Sequence, residues 1–431
     1  MTQFDLEKEL LKDYDRTLDK NGVSGHRLAQ RLGALSKIGL TELNGANRPG
    51  YSFEERKAKD LVKGWMEEVG LTVREDEAGN LFGRLAGKND SLPVILSGSH
   101  VDSVPNGGHF DGTLGVLAAL EVVEAWKETG YQPEKPYEVV VFSDEEGARF
   151  NSGLHGSKGM MGTEVLEEKL KLVDSEGLSF SEVFEQVGLK AEDYLKAKRD
   201  PNEIEVFAEV HIEQGKRLEK ANLPCGIVTG IAGSCRIEFT FTGKAGHAGN
   251  TPMNDRKDAL LAASEFVLEV NKLPKQYSDS AVATVGKLDV EPNGVNVIAG
   301  KVTLYVDTRD IYKDTRDRLA DRIIELSQEI GNKHGIKVDY VEKTRVTPVQ
   351  ISDELQGLIA ESLQDNGIDV LKIPSGAGHD AMILGEKIPV AMIFVRSKDG
   401  ISHNPAEWSD LNDCVQGVHV LKTFIEKLQN R

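Results

Sequence analysis

The sequence predicts an α/β protein: a discontinuous domain on a central, mostly parallel sheet, interrupted by a smaller α+β domain of ferredoxin-like order. Three observations predict it. Short continuous apolar runs alternate with helical stretches before and after the middle of the chain. Between them the order changes to β-α-β-β-α-β. The chain has 431 residues, 39% hydrophobic and 28% charged, an ordinary globular composition with room for two or three packed cores.

Taken in order, the first 75 residues read as helices. The clearest is 53–69, where Ser52 and Glu55 form an S-x-x-E capping box and Gly70 stands at the C-cap. Beyond it, 93–98 (PVILSG), 137–142 (YEVVVF) and 206–212 (VFAEVHI) are continuous apolar runs, as strands buried on both faces require, and 112–129 is helical. From about Gly226 to Glu342 come strand 236–242, helix 256–272, strands 281–290 and 301–307, helix 315–334 and strand 336–341. The alternation of helix and buried strand then resumes with helix 355–364, buried strand 389–395 and amphipathic helix 413–428. These elements place one domain at 1–225 with 343–431 and the insert at 226–342, with hinges near Gly226 and Glu342.

Composition excludes several classes of function. Lys+Arg 52 against Asp+Glu 70 gives a net charge of −18, and no basic cluster offsets that field, so nucleic acid is not expected as a partner. The longest apolar stretch, 388–395, is far short of the roughly 18–20 residues that span a bilayer. The N-terminal MTQFDLEKELLKDYDR is charged from its fifth residue and carries no apolar core, which gives a cytoplasmic expectation. Cys225, Cys235 and Cys414 lack CxxC spacing, so neither a disulfide framework nor a thiolate zinc site is expected. A metal here would use His, Asp and Glu.

Four motifs sit at the ends of predicted strands of the larger domain. In Gly98-Ser-His-Val-Asp-Ser-Val-Pro-Asn-Gly-Gly-His-Phe-Asp-Gly112, His100 sits at a strand's C-terminal end, where ligand sites of open α/β sheets are built, and Asp111 opens a glycine-rich turn into a helix. Either residue alone is ordinarily a turn or cap. In Phe142-Ser-Asp-Glu-Glu-Gly, three successive carboxylates end a buried strand, which is costly unless a cation or proton is shared among them. In Glu209-Val-His-Ile-Glu-Gln-Gly215, strand alternation puts Glu209, His211 and Glu213 on one face. The fourth is Ser402-His-Asn-Pro-Ala-Glu407.

With His100-x-Asp102, Asp111 eleven residues after His100, Glu145-Glu146, HIEQG from His211 and the late SHNPAE, the chain resembles the M20 dinuclear metallo-aminoacylases and amidohydrolases. The close GSHVDS…NGGxxDG spacing resembles their hydantoinase/carbamoylase branch, which holds the N-carbamoyl-L-amino acid and allantoate amidohydrolases. The resemblance runs from about residue 25 to the C-terminus. It implies that Asp111 bridges two divalent ions, one completed by His100 and His211 and the other by Glu146 and His403. Imidazole and carboxylate without thiolate suit Zn, Mn, Co or Ni, and the residues do not choose among them. Asp102 is implied to orient His100, and Glu145 to act as general acid/base, taking a proton from water and returning it to the leaving nitrogen. His109 and His155 match no family position and read as bystanders.

The inserted domain carries Gly243-Lys-Ala-Gly-His-Ala-Gly-Asn-Thr-Pro-Met253, a Gly-rich loop joining a strand to a helix, whose bland alternative is a flexible connection. The resemblance implies that His247 in this loop reaches the active site of a neighbouring subunit and stabilises the tetrahedral oxyanion. It also implies that Asn296, Arg309 and Gln214 bind the substrate's carboxylate, with Gly376 and Gly378 of Pro374-Ser-Gly-Ala-Gly-His-Asp-Ala381 giving it close backbone approach. An Arg between two Asp residues is otherwise a surface ion pair, although its planar fork suits a carboxylate. His379 and Asp380 remain candidates without a role.

The implied function is metal-dependent hydrolysis of the ureido C–N bond of N-carbamoyl-L-amino acids to L-amino acid, CO₂ and ammonia. The alternatives are allantoate or another ureido acid such as N-carbamoyl-β-alanine. A homodimer with an active site shared across subunits is expected. A non-catalytic binding protein on this fold would lack a ligand or the base, and none of His100, Asp111, Glu145, Glu146, His211 or His403 is missing.

Overall fold

The computed structural model describes residues 4–431. The chain forms two compact units: one comprises the chain through Thr229 with Ile351–Ile373 and His379–Arg431, and the other Gly230–Gln350 with Pro374–Gly378.

The sheet of the first unit runs, in spatial order, Thr72–Glu75, Leu81–Leu85, Tyr137–Phe142, Val94–His100, Ile204–Ile212, Val390–Val395 and Cys225–Ile231. Its four strands from Tyr137–Phe142 to Val390–Val395 are mutually parallel, and the flanking pairs are antiparallel. Every residue of Val94–His100, Tyr137–Phe142 and Val390–Val395 is buried, as two-sided burial of an apolar run demands. Helices Thr113–Thr129 and Leu411–Gln429 pack on the sheet and on each other. Trp126 is fully buried and donates its indole N–H to Glu426 at 2.9 Å. Because the central strands are parallel, the segments after His100, Phe142, Ile212 and Val395 all leave from the same edge of the sheet, where side chains from four distant stretches of sequence can meet.

Local differences from the sequence reading have physical causes. Helix Phe53–Glu68 starts where expected and Ser52 Oγ accepts the N–H of Glu55 at 3.1 Å, but the Glu55 carboxylate goes to the N–H of Tyr51 and to Lys59 at 2.6 Å. The reciprocal half of the capping box is therefore not made. Thr72–Glu75 is an edge strand rather than the end of a helical region; its mostly exposed TVRE sequence carries no apolar signal. Strand Ile204–Ile212 stops one residue before Glu213, which accepts the N–H groups of Arg217 (2.7 Å) and Leu218 (2.9 Å) at the start of helix Arg217–Ala221. The Glu213 carboxylate is therefore engaged by a helix start and joins none of the ligand-atom groups that hold Glu209 and His211. Between 155 and 203, short helices close over Tyr51, Phe150, Phe180, Phe184 and Tyr194.

The second unit runs Gly233–Thr242, Ala259–Val270, Val282–Glu291, Lys301–Asp310, Lys313–His334 and Lys337–Arg345. Its antiparallel sheet is ordered Lys337–Arg345, Gly233–Thr242, Lys301–Asp310, Val282–Glu291. This β-α-β-β-α-β order is ferredoxin-like. Both helices pack on one face of the sheet, where their Phe266 and Ile323 join Phe239, Phe241 and Leu304 in one buried cluster. Alternation along Lys301–Asp310 buries Val302, Leu304 and Val306 and leaves Tyr305, Asp307 and Arg309 on the other face. Among the described residues no helix is long and apolar enough to cross a membrane.

Candidate metal centre

Among the described residues of the first unit, three groups of side chains have ligand atoms within 4.8 Å of one another: Glu209, His211 and His379, and, at the strand ends, two that meet at one residue, His100, Asp111 and His211, and Asp111, Glu146 and His403. Asp111 is common to both. Its Oδ1 lies 3.0 Å from His211 Nε2 and 3.7 Å from His100 Nε2, and its Oδ2 lies 3.2 Å from His403 Nε2. His403 Nε2 is also 3.2 Å from Glu146 Oε2. The carboxylate thus presents one oxygen to each group.

Hydrogen bonds set the ring orientations. His211 Nδ1 lies 2.9 Å from the Ile212 carbonyl and His100 Nδ1 lies 3.1 Å from the Asp102 carbonyl. A carbonyl can only accept, so both Nδ1 atoms carry a proton, and both Nε2 atoms face Asp111. Asp102 meets His100 Nδ1 with its main-chain carbonyl, closer than its carboxylate, whose Oδ1 is 3.5 Å away. The carboxylate accepts the N–H groups of Glu145 and Glu146, each at 3.1 Å. Gly112, at φ 61°, lies against the His100 ring: a Cβ there would fall 2.3 Å from Nε2. Asp144, Gln214 and His403 also hold positive φ (50°, 54° and 54°), backbone strain concentrated at this edge.

The electrostatics favour a cation. Glu146 Oε1 is buried without a hydrogen-bond partner. Burial, aided by Glu146 and Asp380, holds Glu145 well above the usual carboxylate range, and burial with the nearby Asp111 charge raises Glu146. Burial opposes ionisation of Asp111 too, but hydrogen bonds to His211 and His403 outweigh it and hold Asp111 well below its ordinary value. An orphaned carboxylate oxygen, inward imidazole nitrogens and crowded acids are the donor set of a hard or borderline divalent ion. Glu145 Oε2 lies 3.7 Å from His100 Nε2, at the lip of the same group.

Other expected residues fall as follows. Gln214 turns its amide to Asp111 Oδ2 (2.8 Å) and Ser402 Oγ (3.0 Å). The His379 ring packs edge-on to His211 at 4.4 Å, and Asp380 is buried beside Glu209, with burial and that charge raising it to about 8. His109 Nε2 meets the Asn44 carbonyl at 2.9 Å and His155 Nδ1 lies 2.8 Å from Asp144, so neither joins the two groups.

His247, Asn296, Arg309, Gly376 and Gly378 all belong to the second unit. His247 pairs with Val297 across a short antiparallel bridge, and the Asn296 carbonyl accepts the N–H of Ala248 at 2.9 Å. His247 Nδ1 accepts two N–H groups, Gly249 and Asn250 at 3.1 Å each, which leaves Nε2–H as an exposed donor. Arg309 is gripped side-on by Asp307 (Nε–Oδ1 3.2 Å, Nη2–Oδ2 3.0 Å) and donates from Nη1 to the Gly376 carbonyl at 2.7 Å. It lines a groove of about 510 Å³ with Arg236, Val282, Lys287 and Tyr305. A Cβ at Gly376 or Gly378 would meet nothing within 4 Å, so the space over both is open.

Sequence reasoning missed Arg48. Its guanidinium is buried and donates to the carbonyls of Val101 (2.8 Å) and Ile38 (3.1 Å), bracing the loop between His100 and Asp111. A lone Arg in an N-terminal loop gives no signal for this.

Residues 96–427 match Peptidase family M20/M25/M40. The chain belongs to that family. Among its M20 relatives, the N-carbamoyl-L-amino acid amidohydrolase of Geobacillus stearothermophilus is 43% identical over 399 residues, 93% of this chain and 97% of that protein. The allantoate amidohydrolase of Bacillus subtilis is 36% identical, covering 91% and 95%. A solved hydantoinase/carbamoylase-family amidase from Burkholderia multivorans superposes with a TM-score of 0.88 at 35% identity, over 94% of this chain and 98% of that one. The M20 fold and the candidate ligand groups together point to divalent metal binding.

Proposed function

We propose that this M20 chain hydrolyses the ureido C–N bond of N-carbamoyl-L-amino acids. The observation that carries the reading is Asp111, which offers one oxygen to each of two histidine-bearing groups, in a chain 43% identical nearly end to end to an N-carbamoyl-L-amino acid amidohydrolase.

His100, Asp111 and His211 would hold one divalent ion and Asp111, Glu146 and His403 a second, of Zn, Mn, Co or Ni. Ions held there supply Lewis-acid polarisation of the ureido carbonyl and make water more acidic. Glu145 takes the proton from the attacking water; its raised proton affinity suits it to keep that proton and pass it to the leaving nitrogen. The His247 Nε2–H donates to the oxyanion, a contribution of about 3 kcal/mol for a well-placed donor. Arg309, with its Nη1/Nη2 end still offering two N–H groups, takes the substrate carboxylate with Asn296, Gln214 and the open backbone at Gly376 and Gly378. The released carbamate decays to CO₂ and ammonia.

On this reading the unit bearing His100 is catalytic, and the unit bearing His247 is a lid and dimerisation domain that supplies His247 to a partner's site. The substrate is a small ureido acid, the assembly a homodimer and the location the cytoplasm. The 36% identical allantoate amidohydrolase supports a second reading with the same site, acting on allantoate. Ammonia release by the purified, Mn²⁺-reconstituted protein, comparing N-carbamoyl-L-amino acids with allantoate and a chelated control, decides between them. Turnover of neither would overturn both.

A further inference from the structure

Glu407 has no part in the chemistry above, yet it is 3% exposed and fully engaged. Its Oε1 accepts the N–H of Phe110 at 2.9 Å and of Asp111 at 3.1 Å, and its Oε2 lies 2.7 Å from the Ser402 hydroxyl. One carboxylate thus spans two loops, Phe110 lying 297 residues before it in sequence: one loop delivers Asp111, the other His403. The backbone leaves it little room to move, since a Cβ on Gly108 would fall 1.9 Å from Glu407 Oε1. Ser402 has a single proton, and the shorter contact claims it for Glu407 over Asp111 Oδ2 at 3.1 Å. Asp111 Oδ2 keeps the Gln214 amide at 2.8 Å, whose nitrogen also reaches Ser402.

We infer that Glu407 is a positioning residue that locks the Asp111 loop to the His403 loop and so sets the separation of the two divalent ions. The inference rests on the two-ion reading above. Asp111 is the only side chain shared by the two groups, and Glu407 holds its main chain. The His403 group is the weaker half, because His403 is half exposed at 52% and sits at φ 54°. Without Glu407, the His403 loop loses its tie to the Asp111 main chain and keeps only the side-chain link through Ser402 and Gln214, whereas His100 and His211 remain fixed on neighbouring buried strands.

The test is calorimetric titration of Mn²⁺ into the chelated full chain, with electron paramagnetic resonance of the loaded protein and the melting temperature of the metal-free form. The wild type is expected to take two ions and give the spectrum of a spin-coupled pair. Glu407→Ala is expected to weaken the second ion about 10–100-fold, keep the first within about threefold, and abolish the coupling. Gly108→Ala, which displaces the carboxylate without removing it, is expected to do the same. Glu407→Gln keeps an acceptor for the two N–H groups and should fall between, which leaves a mild variant should the others fail to fold. A lower metal-free melting temperature with the ratio of the two affinities and the coupling unchanged would overturn the inference and leave the two-ion reading standing. A wild type that binds fewer than two ions would overturn both.

Discussion

Asp102 accepts the main-chain N–H of Glu145 at 3.1 Å through one carboxylate oxygen. Its other oxygen takes the N–H of Glu146, and its own carbonyl takes His100 Nδ1, so one buried residue ties the proposed base to ligands of both groups. Asp102→Asn would aim an amide N–H₂ at one of those N–H donors and replace a bond by a repulsion. We expect kcat and divalent-ion affinity each to fall about 10–100-fold, measured by steady-state kinetics and metal titration. Unaltered metal affinity would refute the positioning argument.

Glu145→Gln removes the proton carrier but keeps the shape of the side chain. Turnover should drop by at least about 10²–10⁴-fold while metal content per chain, measured by mass spectrometry, stays near the wild-type value. Substantial residual activity would remove Glu145 from the mechanism.

Chelation should destabilise the fold, because Asp111, Glu145 and Glu146 are then left crowded in a buried site without a cation. An ion present at about a thousand times its dissociation constant stabilises the state that binds it by about 4 kcal/mol. Scanning calorimetry of the chelated protein before and after Mn²⁺ should show a clear rise in Tm. No rise would contradict metal binding in the folded state.

Arg309→Lys exchanges a fork held by Asp307 for a point charge. KM for the ureido acid should rise about 10–100-fold with a smaller change in kcat, the split expected when ground-state and transition-state binding are lost together. Equal losses in kcat with KM unchanged would move Arg309 away from carboxylate binding.

His419 gives a pH prediction remote from the centre. Burial depresses its pKa below 6.5, and its Nε2–H donates to the Leu18 carbonyl at 2.8 Å. The folded state favours the neutral ring, so the unfolded chain takes up a proton first as pH falls below 6.5; this contribution is complete above that value and is lost on acidification. His419→Gln can keep the donor without the titration. Urea unfolding at pH 7.5 and 5.5 should show a smaller acid-induced loss of stability in the variant than in the wild type.

The sequence made the ligand groups legible because each motif is contiguous and each follows a strand of pronounced apolar character. His100 ends Val94–His100, and Glu145 and Glu146 follow Tyr137–Phe142 after two residues. What escaped it were partners rather than positions. SHNPAE drew attention to Glu407, but nothing local says that its carboxylate meets Phe110 and Asp111, and Arg48 looks like any surface arginine until Val101 and Ile38 are folded around it. The partners of Glu213 were hidden in the same way: it lies one residue past the end of its strand, and its carboxylate accepts the N–H groups that begin helix Arg217–Ala221.

The position of Val390–Val395 in the sheet also governs how the protein can be made. That strand lies between Ile204–Ile212 and Cys225–Ile231, yet it leaves the ribosome after the whole of Gly230–Gln350. The second unit can therefore complete its four-stranded sheet while the first still has an open seam in its own, with apolar edges exposed on both sides of the gap. His403 emerges later still. Between the emergence of His211 and that of His403 a nascent chain holds His100, Asp111, Glu146 and His211 but lacks the histidine of the second group, so the centre can be completed only as the last strand and helix close the seam.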